Sequence, residues 1–273
     1  MKILSFDTSS HQIALCLMSD SQVTAADVIE SPPTKRQESA AMLLPSIDSI
    51  LKKSGWSKHE LDCLVVGQGP GSFTGIRTAV VTARTLAQAL RLPLVGINVL
   101  DCYAFEVELP AVVVISAGRG HFFFAAFERG RDGERLTEPI VPPSHGTVQV
   151  VEDVLSDKRL QSFTMWADDE SREKLGDSGH AFEPLPALAN VAVSQARIAS
   201  ARLALRISTL GSTIEEAEES SSPQTKDGKN ERTKSHLRDM LIKEFPYRKI
   251  EPLYLRGASV TLKETDGKKT ACN

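Results

Sequence analysis

Reactive and metal-binding residue types are scarce in this chain. It has four cysteines in 273 residues, at positions 16, 63, 102 and 272, and no two of them form a C-x-x-C pair. That spacing argues against a zinc ribbon or a dithiol redox motif. Cys16 and Cys63 fall inside apolar runs and read as small core residues. The six histidines never recur at three- or four-residue spacing, so no helix carries a metal-binding pair. A G-x-S-x-G nucleophile elbow is missing. No apolar run reaches membrane-spanning length, and the opening Met1–Asp7 meets an acid too early for a signal peptide, so a cytoplasmic protein is expected. The chain also lacks an excess of positive charge. Its formal net charge of −3 is not the footprint of a protein that grips nucleic acid alone, so any RNA contact would fall mainly to a partner.

What is present is an ordinary globular composition, 41% hydrophobic and 25% charged, in a length that suits one large domain or two modest ones. The chain is organised around residues 61–97. Leu61–Val66 is a short Val/Leu-rich run and reads as a buried strand. Residues 67–75 then hold four glycines and Pro70. A helical pattern follows from Ile76 to Leu90, and a second strand from Leu94 to Ile97. Strand, glycine loop, helix and strand make a right-handed parallel unit. The loop can be read in two ways. Its backbone N–H groups lie at a helix N-terminus and could hold an anion. Yet it lacks the Gly-Lys-Ser/Thr ending of a Walker loop, Ser72 stands where a dinucleotide fingerprint has its last glycine, and Pro70 removes a donor, all of which favour a structural tight turn. The helix is small and apolar on most of its circumference, through Ala79, Val80, Val81, Ala83, Leu86, Ala87, Ala89 and Leu90. Such a helix is covered on more than one side, by its own chain or by a partner.

In chain order, Ile3–Phe6, Gln12–Met18 and Gln22–Ile29 read as an antiparallel meander whose first turn is Asp7-Thr8-Ser9-Ser10. That turn caps a hairpin or, in nucleotide-binding folds, holds a phosphate or metal. A loop over 30–35 leads to a helix over Gln37–Lys53, with apolar residues at three- and four-residue spacing and Pro45 inside the pattern. The resulting order, β-β-β-α-β-α-β, is the repeating unit of the actin, hexokinase and Hsp70 (ASKHA) α/β architecture. A shortened second copy is expected, with strands over Ala111–Ile115, His121–Glu128, Arg135–Val141 and Ser162–Ala167 and helices over Thr147–Leu155 and Val191–Ile207. The division expected is an N-terminal subdomain over 1–105 and a degenerate C-terminal one over 106–273. Residues 212–235, rich in Glu, Ser, Lys and Asp, read as a disordered insertion, His236–Glu244 as a short helix, and Lys263–Asn273 as a frayed end. The turn after the second copy's first strand holds Ser116, where sugar kinases and their relatives place a carboxylate; a neutral hydroxyl cannot replace it as a magnesium ligand or base.

Three stretches resemble one family. Gly69-Pro70-Gly71-Ser72-Phe73-Thr74-Gly75-Ile76-Arg77 is similar to the signature loop of the TsaB (YeaZ) family, bacterial proteins of threonylcarbamoyladenosine synthesis on tRNA. Ile3–Ser9 resembles that family's first strand and turn, and Pro252-Leu253-Tyr254-Leu255-Arg256 its C-terminal motif. The resemblance implies a non-catalytic accessory subunit that binds and activates the TsaD-like threonylcarbamoyltransferase through its N-terminal helices. A TsaE-like ATPase joins the assembly, tRNA is met only through the complex, and a homodimer forms when the partner is absent. It places the partner-binding face on Met42, Leu43, Ile47, Ile50, Leu51, Thr78, Val80, Val81, Ala83, Arg84 and Ala87. A structural or nucleotide-contacting role falls to Asp7, Thr8, Ser9, Gly69, Pro70, Gly71, Ser72, Phe73, Thr74, Gly75 and Arg77. No metal and no intrinsic cofactor are implied, with ATP or ADP confined to the partner boundary. The chain departs from the family at Ser116-Ala117-Gly118, where Asp-Ala-Arg is common, and at Ser39, where a histidine often precedes the first helix. Two rivals remain: a nucleotide-dependent kinase or hydrolase using Asp7, Thr8 and the glycine loop, and an M22-type glycoprotease-like metalloprotease.

Overall fold

The computed structural model describes residues 1–10, 12–30, 38–130, 139–187, 190–218 and 226–251. Most of the expected loop over 30–35, most of the expected strand over 135–141, the Pro252–Arg256 motif and the Lys263–Asn273 end lie outside these residues.

The first sheet has the order β3-β2-β1-β4-β5. Strands β1 (Lys2–Asp7), β2 (Gln12–Ser19) and β3 (Gln22–Glu30) form the expected antiparallel meander. Asp20 and Ser21, both at positive φ, make the two-residue turn between β2 and β3. β4 (Cys63–Gly67) pairs parallel to β1, and β5 (Leu94–Ile97) parallel to β4. Both faces of this sheet are covered, which is why its strands are apolar almost without a break. Leu4, Phe6, Leu15, Leu17, Leu64 and Val66 pack on α1 (Glu38–Lys53) and α2 (Phe73–Leu90). Ile3, Cys16, Met18, Cys63 and Val65 face the other way.

The second sheet, β10-β9-β6-β7-β8, repeats that order element for element. β6 (Ala111–Gly118), β7 (His121–Phe127) and β8 (Val141–Thr147) form the meander, and β9 (Thr164–Ala167) and β10 (Glu183–Pro184) add in parallel. α4 (Val148–Leu155) and α5 (Asp169–Leu175) occupy the places of α1 and α2. The copy is shortened: α4 and α5 have 8 and 7 residues where α1 and α2 have 16 and 18. The third strand begins at Val141, where the sequence reading has it ending. Pro142 and Pro143 obscure it, and they are tolerated because β8 is an edge strand.

Two helices exchange between the halves. α3 (Val99–Glu106), which follows β5 and has no counterpart in the sequence reading, packs Leu100 and Ala104, with Val107 just after it, on the second sheet against Val113, Phe123 and Ala125. α6 (Val191–Glu218), which follows β10, returns to the open face of the first sheet, setting Ala192, Ala196, Ala199 and Leu203 on Ile3, Cys16, Cys63 and Val65. The expected cut at 105/106 therefore needs correction, because residues 191–203 belong to the first core. The small side chains of α6 explain the choice: alanines let a helix lie close on a flat apolar sheet.

Residues 212–235 also differ from expectation. The α6 backbone is helical to Glu218 and α7 spans Lys226–Glu244, leaving only 219–225 outside the described residues. Lys, Glu and Arg are strong helix formers whatever their solvation, so polarity alone does not exclude a helix.

Candidate functional site

The carboxyl ends of β1 and β4 meet at one point, and Asp7 is its centre. Its side chain is 1% exposed. One carboxylate oxygen accepts the backbone N–H and the hydroxyl of Ser9, each at 2.6 Å. The other accepts the amide Nε2 of Gln195 from α6 at 2.8 Å. The Gln195 Oε1 in turn accepts from the Ser5 hydroxyl at 3.5 Å. A carboxylate with three protein donors is committed to holding the turn and the returning helix together. Gly67 gives it room: a Cβ there would lie 1.6 Å from Asp7 Oδ2.

The glycine loop closes onto this turn. Ser72 N–H donates to the Ser9 carbonyl at 2.6 Å, and the Thr8 hydroxyl donates to the Gly75 carbonyl at 2.6 Å. A Cβ on Gly71 would come within 2.4 Å of Ser9 O, and one on Gly75 within 1.8 Å of Thr8 O. Ser72 caps α2, its Oγ accepting the Gly75 N–H at 3.3 Å. The Gly69 carbonyl accepts Val99 N–H at 2.8 Å, tying the loop to α3. Of the two readings of the loop, the geometry supports close backbone packing. Thr8 and Ser9 come together with Gly71, Ser72 and Gly75, whereas Arg77 lies on the exposed side of α2.

The second turn has a carboxylate after all, from a position the sequence reading does not single out. Asp168, just past β9, accepts Ser116 N–H at 2.8 Å and caps α5 by accepting Ser171 N–H at 2.8 Å. Burial first, and the Asp168 charge second, push the Tyr103 hydroxyl upward. Among the described residues no three His, Cys, Asp or Glu side chains come together as a metal site, and no helix is long and apolar enough to cross a membrane.

Where α3 crosses α6, partly buried polar groups pair. Arg202 donates to Asp101 at 3.0 Å, Asn98 donates to the same carboxylate at 2.7 Å, and Ser194 donates to Glu106 at 2.9 Å. Burial nevertheless raises the Asp101 carboxyl above its usual range, outweighing Arg202 and Asn98. Burial also pushes the Cys16 thiol up to about 12, and the Cys63 and Cys102 thiols rise for the same reason.

The helix face expected to meet a partner is mostly internal. Leu43, Ile47, Ile50, Leu51, Val80, Ala83 and Ala87 are buried against the first sheet, so they are core residues and not a docking surface. A helix lying on a sheet buries a wide stripe, and Val81 and Ala89, which are exposed, made α2 look apolar all round in sequence. Of the expected set, Met42 and Val81 are exposed, at 43% and 55%, and Thr78 and Arg84 are half-buried. Leu44, 53% exposed, and Phe73, 44% exposed, are further exposed apolar side chains on these helices; the sequence reading leaves Leu44 out and places Phe73 with the loop. Hydroxyls of Thr78 and Thr85 donate to backbone carbonyls one turn back, at 2.9 Å each.

The family model described as TsaD, tRNA N6-adenosine threonylcarbamoyltransferase, matches residues 31–222. The tRNA threonylcarbamoyladenosine biosynthesis protein TsaB of Escherichia coli (strain K12) is 31% identical over 151 residues, 52% of this chain and 63% of that protein. The protein of the same name from Bacillus subtilis (strain 168) is 31% identical over 104 residues, 38% of this chain and 44% of that one. The chain thus spans about half the length of these two relatives. Among solved structures, YeaZ from Pseudomonas aeruginosa superposes with a TM-score of 0.58 at 17% identity, covering 74% of this chain and 92% of the other, a likeness of fold.

Proposed function

Because the chain belongs to the TsaB/YeaZ family, within the reach of the TsaD family model, we propose that it is an accessory subunit in threonylcarbamoyladenosine modification of tRNA. In this reading it binds and activates a TsaD-like transferase and performs no turnover alone. The observation that carries the proposal is the exposure of four large apolar side chains, Met42 and Leu44 on α1 and Phe73 and Val81 on α2, with α2 starting beside a turn whose buried acid, Asp7, is held by Ser9 and Gln195. Large apolar side chains left exposed on two helices suit a protein partner. The tight seating of the glycine loop on Thr8 and Ser9 supports a role in fixing the start of α2, and so the angle of that face. Nucleotide contact falls to the partner boundary, a TsaE-like ATPase joins through the complex, and tRNA is held mainly by the partner, in keeping with a net charge of −3. The same face pairs two copies of this chain when the partner is absent.

Light scattering after size exclusion, on this chain alone and mixed with the TsaD-like protein of the same cell, tests the reading. A mixed complex, tRNA modification that needs both proteins, and loss of both with Met42→Glu plus Val81→Glu in a folded chain are the expected results. Failure to associate, with ATP turnover by this chain alone that Asp7→Ala abolishes, would replace it with the enzyme reading.

A further inference from the structure

The charge on α2 is of one sign. Its 18 residues include Arg77 and Arg84 and no Asp, Glu or Lys, and Arg91 is its C-cap. The three arginines stand seven residues apart. On an α-helix that spacing returns to the same side with a drift of about 20° per step, so they form one stripe roughly 21 Å long. Arg77 and Arg91 are exposed and Arg84 is half-buried. Among the described residues no ion pair or side-chain hydrogen bond engages any of the three, whereas Lys52 on α1 pairs with Asp48 at 2.7 Å. The helix dipole accounts for a cation at Arg91, the C-terminal end. It does not account for Arg77, the fifth residue of α2, nearer the end that favours anions.

Between the first two arginines the stripe is apolar. Val81, four residues past Arg77 and three before Arg84, is 55% exposed. Thr78 and Thr85 flank it, and their hydroxyls donate back to the Thr74 and Val81 carbonyls at 2.9 Å each. A nucleic-acid backbone uses hydroxyl as well as guanidinium donors; here the hydroxyl protons are spent within the helix, and phosphates would leave Val81 in water. A partner helix fits the pattern. Carboxylates one heptad apart on such a helix repeat at the same interval of about 10.5 Å. Arginine stems lie over an apolar contact while their charged heads reach its flanks, and charges beside an apolar seam set partner choice and orientation between paired helices. From this charge pattern we infer that the stripe docks an acidic amphipathic helix, with Asp or Glu opposite Arg77, Arg84 and Arg91 and an apolar side chain on Val81. That the helix belongs to the TsaD-like partner rests on the function proposed above.

Isothermal titration of the full-length chain with two probes tests the inference. One probe is a synthetic helical peptide with Glu one heptad apart and Leu between; the other is the TsaD-like protein of the same cell. Arg77→Glu with Arg84→Glu is expected to weaken binding of both about tenfold or more at low salt, because like charges then face each other. The difference is expected to shrink at about 1 M salt. Arg77→Lys with Arg84→Lys is expected to keep most of the affinity, and circular dichroism is expected to show all variants folded, since the changed groups lie outside the core. A peptide with Lys in place of Glu is expected not to bind. Equal binding of the Glu and Lys peptides, or peptide affinity unmoved by the double reversal, would overturn the inference. So would a tRNA gel shift by this chain alone that the reversal abolishes while peptide binding is unchanged, which would put phosphates where the helix is inferred. Binding of the TsaD-like protein that the reversal leaves unchanged would overturn the inference and leave the accessory-subunit reading standing. Arginine-dependent peptide binding, with no binding of the TsaD-like protein in any form, would instead remove that reading and leave the stripe standing.

Discussion

Gln195 donates to Asp7 across 2.8 Å, joining residues 188 positions apart at the meeting point of α6, β1 and the first turn. Gln195→Ala leaves one oxygen of a buried carboxylate without its donor, which costs about 1–3 kcal/mol. Gln195→Glu sets a second acid against Asp7 and is expected to cost more at neutral pH and to recover on acidification, as one of the two carboxyls binds a proton. Denaturant titration of the three proteins ranks them, and equal midpoints would show that the bond contributes nothing.

Gly75→Ala is expected to be among the worst of the small substitutions. Its Cβ would stand 1.8 Å from the Thr8 carbonyl, a backbone atom that cannot rotate away. A loss of about 1–3 kcal/mol or more follows from overpacking of this kind. Gly176→Ala is the control, with φ of −56° and nothing within 4 Å, and its melting temperature is expected to stay level or rise slightly.

Neighbouring valines on α2 separate core from surface. Val80 is 1% exposed and Val81 55%. Val80→Glu buries a charge in the first core and is expected to abolish cooperative unfolding, since the cost of several kcal/mol rivals typical domain stability. Val81→Glu is expected to change stability by less than about 0.5 kcal/mol. Circular dichroism melts of the two variants decide the matter, and a stable Val80→Glu chain would mean that α2 sits differently on its sheet.

Asp101 has a pH signature of unusual sign. Burial holds its folded carboxyl above the ordinary value, against the pull of Arg202 and Asn98. Between the unfolded value of about 3.9 and the raised folded value, the folded state therefore binds more protons than the unfolded one. This group's contribution to stability falls as pH rises through that window, and the penalty is complete above it. The stability of the wild type relative to Asp101→Asn is expected to decline over that range in denaturant titrations. A flat or rising difference would mean that Arg202 outweighs burial.

Much of this fold is legible in the residues. The meander at 2–30, the strand–loop–helix–strand over 61–97 and the repetition of that order follow from apolar periodicity and turn residues, signals local to each segment. The start of α2 is less legible: the helix begins at Phe73 and not at Ile76, because Ser72 caps it inside what reads as loop. The β8 strand escapes notice because Pro142 and Pro143 mimic a loop, and Asp168 because a capping acid looks like any surface acid. Gln195 carries no local signal, since its partner is 188 residues away.

The sequence by itself determined element type, the duplicated order and the family, because each depends on residues near one another in the chain or on spacing within a motif. The tertiary structure decided which sides of α1 and α2 turn inward, that α3 and α6 cross to each other's sheets, and that Asp7 is engaged by Gln195. Those outcomes depend on what covers a surface. An apolar stripe states that it will be buried, and only the packing of distant segments determines against what.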